Sequence, residues 1–520
     1  MEVSWESLPP DGVLGDLPRA GFDLGAGGAA SVAETHSAVV FFLGDRAYKV
    51  KKPVDLGFLD FTTREARERI CHREVELNRR LAPDVYLGVS DVLGFDGEVC
   101  DHLVVMRRLP EDRRLAAVLA AGEDVTAALR GVARQVADLH DSVATSRTEP
   151  AIARVATRDA VARNWADNRD TLVTFADRVV PRAELDRVSA LARHYLAGRQ
   201  RLFDLRIAEG MIRDGHGDLL AQDIFCLPDG PRIIDCLEFA DHYRFGDVLL
   251  DVAFLAMDLE RLGHPGLGIR FLGFYREVSG EQHPESLAHH YLAYRAHVRA
   301  KVACLRHDQG DASAAEEARG LHRLALQHLE RGRVALVLVG GLPGTGKSTV
   351  ARALADQLDA ALLRSDEVRK ELAGLEVTTA AAASYRHGLY EPEQVGRVYG
   401  ELRERARHQL ELGVSVVLDA SFTSEAERDA AATLASETSS SLVQLRCVAP
   451  MEVARARLAA RPPGTDASDA TEEVLVAMAS DADAWPEAAT IRTGDAIDVV
   501  LAAARTAVRD QLAAAPLATT

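Results

Sequence analysis

The sequence predicts two architectures in one chain: an α+β unit of two lobes over about 20–310, and an α/β unit on a parallel sheet over 333–520. Three observations predict this. Apolar runs joined by tight Gly-Asp and Asp-Gly turns are concentrated before residue 107. Helical periodicity rich in Ala, Leu and Arg then dominates 112–331, broken only by a Gly/Pro-rich stretch at 211–240. From 334 onward, apolar strands alternate with amphipathic helices, the pattern of a parallel sheet.

Composition sets the outer bounds. Hydrophobic residues make up 47% and charged residues 27% of the 520, ordinary for a folded chain. The 61 basic and 79 acidic side chains leave a net charge of −18. That argues against bulk nucleic-acid binding, which needs a basic footprint to neutralise phosphates. No run nears the roughly 18 apolar residues of a membrane helix. The acidic start, Met1-Glu-Val-Ser-Trp-Glu, lacks the basic and apolar regions of a signal peptide. Six scattered cysteines without a C-x-x-C pair read as reduced thiols, so the expected location is cytoplasmic. Lysine occurs only at 49, 51, 52, 301, 347 and 370, so a lysine inside a motif stands out.

Taken in order, residues 1–20 read as a polar lead-in. An apolar run from Ser37, the Gly44-Asp45 turn and the run Arg46–Lys51 form a hairpin signal. Residues 63–81 carry apolar side chains at helical spacing, and 89–107 form a second hairpin around Asp96-Gly97. The expectation is a small antiparallel sheet with one inserted helix. Residues 112–210 read as helices. Gly215, Gly217, Pro228, Gly230 and Pro231 break 211–240 into short runs, and helical periodicity resumes over 246–331, ending in a connecting helix at Ala314–Arg331. The α/β unit opens with an apolar strand at 334–339, a helix at 348–358, and strands at 414–418 and Ser441–Val448.

The sharpest motif is Gly341-Leu-Pro-Gly344-Thr-Gly346-Lys347-Ser348-Thr349, a G-x-x-x-x-G-K-[ST] loop between a strand and a helix. Glycines let backbone N–H groups turn inward as an anion cradle, and the helix N-terminus adds its positive dipole end. In this pattern Lys347 reaches the β- and γ-phosphates of ATP, and Ser348, followed by Thr349, offers a hydroxyl to Mg²⁺. The 414–418 strand runs into Asp419-Ala420, which supplies a Mg²⁺ ligand but no adjacent glutamate to activate water. A phosphotransferase is favoured over a motor. Leu363-Arg-Ser-Asp366-Glu-Val-Arg369-Lys370 resembles the S-D-x-x-R segment of small P-loop kinases, gluconate kinases and the kinase half of polynucleotide kinases among them. That resemblance implies Asp366 as base for the acceptor hydroxyl and Arg369 as an acceptor or phosphate contact. Arg455-Ala-Arg457-Leu-Ala-Ala-Arg461 resembles the lid of such kinases, whose arginines (here Arg457 and Arg461) fold over the triphosphate.

The second constellation is His216-Gly217-Asp218-Leu-Leu-Ala-Gln-Asp223 with Ile233-Ile234-Asp235 beyond it. It follows the kinase logic of a base, a metal ligand five residues on, and a distant metal-binding Asp. H-G-D-L followed by I-D-x-x-E resembles aminoglycoside phosphotransferases and related choline and sugar kinases, and so implies a protein-kinase-like bilobal fold. Gly246-Asp247-Val-Leu-Leu-Asp251-Val-Ala resembles a further, structural segment of that family. The resemblance implies Asp218 as catalytic base, His216 as loop brace, and Asp223 and Asp235 as Mg²⁺ ligands, with Asp223 standing where the family has Asn. It also implies Lys49 on the α- and β-phosphates, Glu74 holding Lys49, and Met106 at the adenine contact. Lys51 shares a strand face with Lys49, and Glu34-Thr35-His36-Ser37 replaces the family's Gly-rich loop.

Trp165 is expected as a buried helix anchor, and the adjacent His289 and His290 point to different helix faces, poor metal-site geometry. The chain thus resembles an aminoglycoside-phosphotransferase-like kinase (1–310) joined by a connecting helix (311–332) to a P-loop kinase (333–520). The resemblance implies ATP and Mg²⁺ as cofactors and small-molecule hydroxyls of the sugar, amino sugar or sugar-acid class as acceptors. Two alternatives stand. One is a single active kinase with the other module regulating through nucleotide. The other is a C-terminal polynucleotide 5′-kinase, which requires an Arg-lined groove around Arg364, Arg369 and Lys370 and is disfavoured by the acidic composition.

Overall fold

The N-terminal sheet grows from the Gly44 turn. Gly44 sits at φ +59°, left-handed territory open to glycine, and sets Leu43 opposite Arg46 and Val40 opposite Lys49. In this computed structural model the described residues are 31–34, 37–55, 59–376, 391–460, 470–515 and 517. Strands β1 (Ser31–Glu34), β2 (Ala38–Leu43), β3 (Arg46–Lys51), β4 (Tyr86–Leu93) and β5 (Val99–Arg107) form an antiparallel sheet in the order β1-β2-β3-β5-β4. The helix Arg64–Asn78 is capped by Thr63, which accepts from the Ala66 N–H at 3.2 Å. Cys71 and Val75 from this helix meet Ala47, Val104 and Met106 from the sheet in one core.

A helical lobe follows, as expected. Short ribbons interrupt it: β6 (Ile212–Asp214) pairs with β9 (Phe245–Asp247), and β7 (Ile224–Leu227) with β8 (Gly230–Ile233). They carry the His-Gly-Asp segment and Asp235 at their ends. Within the Gly/Pro-rich stretch only β7–β8 is a hairpin, while β6 pairs with β9 beyond it, and between them these ribbons place the functional loops.

The C-terminal sheet is wholly parallel among its described strands. β10 (Ala335–Gly340), β11 (Ala361–Arg364), β12 (Val416–Asp419), β13 (Ser441–Val448) and β14 (Ala489–Arg492) lie in the order β11-β12-β10-β13-β14. β10 is buried at every position, as expected of a strand covered on both faces. Chain order reverses on either side of β10, so its C-terminal end is the crevice where open α/β sheets bind ligands. The strand expected at 414–418 runs from Val416 to Asp419, and Ser415 just before it accepts at Oγ from the N–H of Ala335, the first residue of β10, at 3.1 Å.

Packing divides the chain into two compact units, 1–157 with 206–282, and 158–205 with 283–520. These units differ from the division at 311–332 drawn from sequence. The helices Arg158–Val173 and Arg182–Ala197 group with the long helices Glu285–Asp308 and Ala314–Arg331. Leu172, Phe175, Val180 and Leu185 share a core with Ala303, Cys304 and Ala318, which no local sequence signal reveals.

Candidate active sites

In the first unit β3 presents Lys49 and Lys51 on one face, two residues apart. Lys49 Nζ lies 2.8 Å from Glu74 Oε1 and 2.7 Å from Asp235 Oδ1. Lys51 Nζ lies 2.6 Å from Glu74 Oε2 and 2.5 Å from Glu238 Oε1. Glu74 is fully buried and is shared by both lysines. Burial alone would pull the Lys49 ammonium down, but Asp235, Glu74 and Glu238 outweigh it and hold it well above the usual lysine range. Lys49 in turn pulls the Asp235 carboxyl down to about 2.

Asp235 adopts φ +64°, a left-handed conformation costly for a non-glycine residue. Its N–H donates to the Tyr86 hydroxyl at 3.1 Å, and the next N–H, of Cys236, donates to Asn78 Oδ1 at 2.8 Å. These bonds fix the turn that aims Asp235 at Lys49.

The His-Gly-Asp segment is braced from beneath. The N–H groups of His216 and Gly217 each donate to Asp251 at 2.8 Å, and His140 Nε2 lies 3.1 Å from the same carboxylate. A Cβ at Gly215 would come within 2.5 Å of Asp251 Oδ2, so this close approach needs glycine. His216 Nε2 faces the Ile234 carbonyl at 3.1 Å, and Nδ1 accepts from the Asp218 N–H at 3.3 Å. That arrangement puts the proton on Nε2 of a neutral ring, and burial pushes the His216 pKa down accordingly. His216 thus ties the Asp218 loop to the strand leading to Asp235. Asp223 is pushed well above the carboxylate range by burial and then by Asp235 and Asp218. Like charges near one another raise each other in this way, and among the described residues no ready cluster of three or more metal-ligating side chains forms. Met106 packs its side chain into the lobe's core at 8% exposure, so any contact with adenine falls to its backbone and neighbours. Thr35 and His36 lie outside the described residues.

In the second unit the phosphate loop follows β10. Gly341, Gly344 and Gly346 sit at φ +146°, +81° and +79°. A Cβ at Gly341 would lie 2.5 Å from the Cys447 carbonyl oxygen, and one at Gly344 2.5 Å from that of Ala454. Only glycine fits either place. Lys347 and Ser348 open the following helix, and the register sets Asp419 beside Val339, at the same end of the sheet. Asp419 is buried, with Oδ2 3.2 Å from Arg364 Nε and Oδ1 without a hydrogen-bond partner among the described residues. A buried orphan carboxylate oxygen beside Ser348's loop fits Mg²⁺, directly or through water.

Asp366 contacts Arg369 one turn along its helix. Arg457 donates from Nη2 to the Thr493 carbonyl at 2.7 Å and stands against Gly346. Thr493 Oγ1 donates to the Thr345 carbonyl at 2.5 Å, pinning the loop from the end of β14. Arg461 lies outside the described residues. Arg364 and Lys370 are 7% and 2% exposed, and Arg364 serves Asp419 and Glu367. Among the described residues they do not line the basic groove a polynucleotide would need.

Lys51, Glu238, His140 and Asp251 were not assigned to the first site from sequence, nor Arg364 and Thr493 to the second. The spacings I-D-x-x-E and G-D-x-x-x-D carried a signal for Glu238 and Asp251. Thr493 and His140 carried none. Trp165 is 5% exposed against His290 and His297, as a helix anchor should be. None of the six cysteines forms a disulfide. No helix among the described residues is long and apolar enough to cross a membrane.

A family model described as "AAA domain" matches residues 336–484. The match brings no water-activating glutamate, since Ala420 follows Asp419. Among solved structures, the chain is similar to a sugar kinase from Janibacter at 20% identity, covering 36% of this chain and 99% of that one, with a TM-score of 0.28. It is also similar to a GDP complex of aminoglycoside 2′-phosphotransferase-IIIa at 16% identity, covering 57% and 91%, with a TM-score of 0.35. Mb2027c of Mycobacterium bovis is 44% identical over 454 residues, 87% of this chain and 90% of that protein. Rv2004c of Mycobacterium tuberculosis matches to the same extent. With two thirds of each chain far exceeded, this chain belongs to the family of the mycobacterial proteins Rv2004c and Mb2027c.

Proposed function

We infer that the chain is a phosphotransferase with two ATP·Mg²⁺ centres, one in a kinase-like domain over 1–310 and one in a P-loop domain over 333–520. Each passes a phosphoryl group to the hydroxyl of a small molecule of the sugar, amino sugar or sugar-acid class. The observation that carries this reading is Lys49 held between Glu74 and Asp235 at 2.8 and 2.7 Å, with Asp223 near enough to Asp235 and Asp218 for their charges to raise it. In the first centre Lys49 grips the α- and β-phosphates, Asp223 and Asp235 hold Mg²⁺, and Asp218 takes the acceptor's proton. In the second, Lys347 and the loop N–H groups cradle the phosphates, Ser348 and Asp419 hold Mg²⁺, Asp366 is the base, and Arg369 and Arg457 neutralise charge. Mg²⁺ supplies charge neutralisation on the phosphates; positioning by the protein does the rest.

ATP consumption by Asp218→Ala and Lys347→Ala variants against a panel of sugars, amino sugars, sugar acids and oligonucleotides tests this. Each variant is expected to lose a different acceptor's turnover, by about 10²–10⁴-fold for the lost base. If one variant abolishes all turnover and the other alters only nucleotide response, one module is regulatory. No turnover with any small molecule removes the proposal, and turnover of oligonucleotides alone replaces it with a polynucleotide kinase.

A further inference from the structure

Where the helical block of the second unit meets its parallel sheet, the structure forms a narrow, partly open cavity of about 10 Å³. That is room for a single small occupant of about the size of a water. Arg199, His194, Tyr195, Ser286, His290 and Arg333 line it, and no carboxylate does.

Arg199 is fully buried. Its Nη atoms bond only neutral oxygens: the carbonyls of Gly198 and Thr438 at 2.8 and 2.9 Å, and Ser439 O and Ser440 Oγ at 3.4 Å. Its Nε–H has no acceptor among the described residues. Burial pulls even this guanidinium down to about 10. Arg333 likewise bonds Ser441 Oγ and two carbonyls, with its nearest carboxylate, Glu330, at 3.6 Å.

His290 supplies the second orphan. It is 1% exposed and stacks on Tyr195 with centroids 4.5 Å apart. Its Nε2 lies 3.2 Å from Trp165 Nε1. An indole N–H can only donate, so His290 Nε2 accepts and the ring proton sits on Nδ1. That Nδ1–H also lacks an acceptor among the described residues.

The cavity therefore gathers two unsatisfied buried donors and one fully buried guanidinium, Arg199, whose bonds all go to neutral oxygens. An unpaired buried charge costs several kcal/mol, and an orphan donor about 1–3 kcal/mol. One occupant answers both: a monatomic anion, which accepts N–H bonds and has nothing to donate. We propose that this cavity is a structural halide site, occupied by chloride, held by Arg199 Nε and His290 Nδ1 and locking the helical block to the sheet.

The test is thermal unfolding of the full chain at constant ionic strength with chloride, bromide or gluconate as the anion. Chloride and bromide are expected to raise Tm by about 2 °C per tenfold increase above Kd, and gluconate not at all. Arg199→Met is expected to lose that dependence while keeping nucleotide binding. Should the variant not fold, crystals of the native chain grown in bromide decide alone. An anomalous peak between Arg199 Nε and His290 Nδ1 supports the site. Equal Tm in all three salts, or a water and no anomalous peak in the cavity, overturns it.

Discussion

Lys51 shows how one residue changes the meaning of a motif. A kinase-like centre needs one lysine paired to one glutamate, yet Glu74 divides its two oxygens between Lys49 and Lys51. Lys51 is 1% exposed and also bonds Glu238, three residues beyond Asp235. It therefore ties the helix bearing Glu74 to the loop bearing Asp235, a positioning role. Removing one partner of a buried pair leaves an uncompensated charge, which costs about 3–5 kcal/mol. Lys51→Met is accordingly expected to lower stability in urea denaturation by about 3 kcal/mol. Arg178→Met is the contrast. Its pair with Asp308 is 61% and 57% exposed, so the loss should stay under about 1 kcal/mol.

At the scale of elements, the junctions carry the constraint. The turn after the helix Arg182–Ala197 approaches the turn before β13 so closely that a Cβ on Gly198 would lie 2.0 Å from the Thr438 carbonyl oxygen. Backbone cannot retreat there, because Arg199 bonds the same carbonyl at 2.9 Å. Gly198→Ala should therefore destabilise the second unit by about 1–3 kcal/mol, seen as a lower Tm of its transition in calorimetry. Gly413, at φ +83°, shares this crowding: a Cβ there would meet Ser286 Oγ at 2.8 Å, the hydroxyl that donates to the Gly413 carbonyl at 2.7 Å. Sequence periodicity found the helices and strands themselves. It could not find these contacts, which join positions 127 and about 240 residues apart along the chain.

For the whole molecule, buried histidines set the response to acid. Burial holds His290 and His297 down to about 3, and His322 to about 4. In the unfolded chain each titrates near 6.5. Between about pH 6.5 and 4 the unfolded state binds more protons, so stability is complete above 6.5 and falls as the pH drops. The slope is up to about 1.4 kcal/mol per pH unit for each histidine. Denaturant midpoints measured from pH 7 to 4 should fall steadily, and His297→Phe should flatten the curve by one histidine's share. An unchanged slope in that variant would show that other groups govern acid unfolding.

What the sequence determined by itself was local chemistry. The glycines and Lys347 of the phosphate loop and the His-Gly-Asp segment each follow from residue type at short spacing, because N–H cradles and turns are local properties; the Lys49–Glu74 pairing, across 25 residues, came only from the family resemblance. Tertiary structure alone decided which distant groups complete those motifs. Glu74 is shared with Lys51, Asp251 and His140 hold the Asp218 loop, and Thr493 pins the phosphate loop. Packing also put the helices of 158–205 with the C-terminal sheet. Burial and charge compensation are properties of the folded neighbourhood, and no spacing along the chain encodes them.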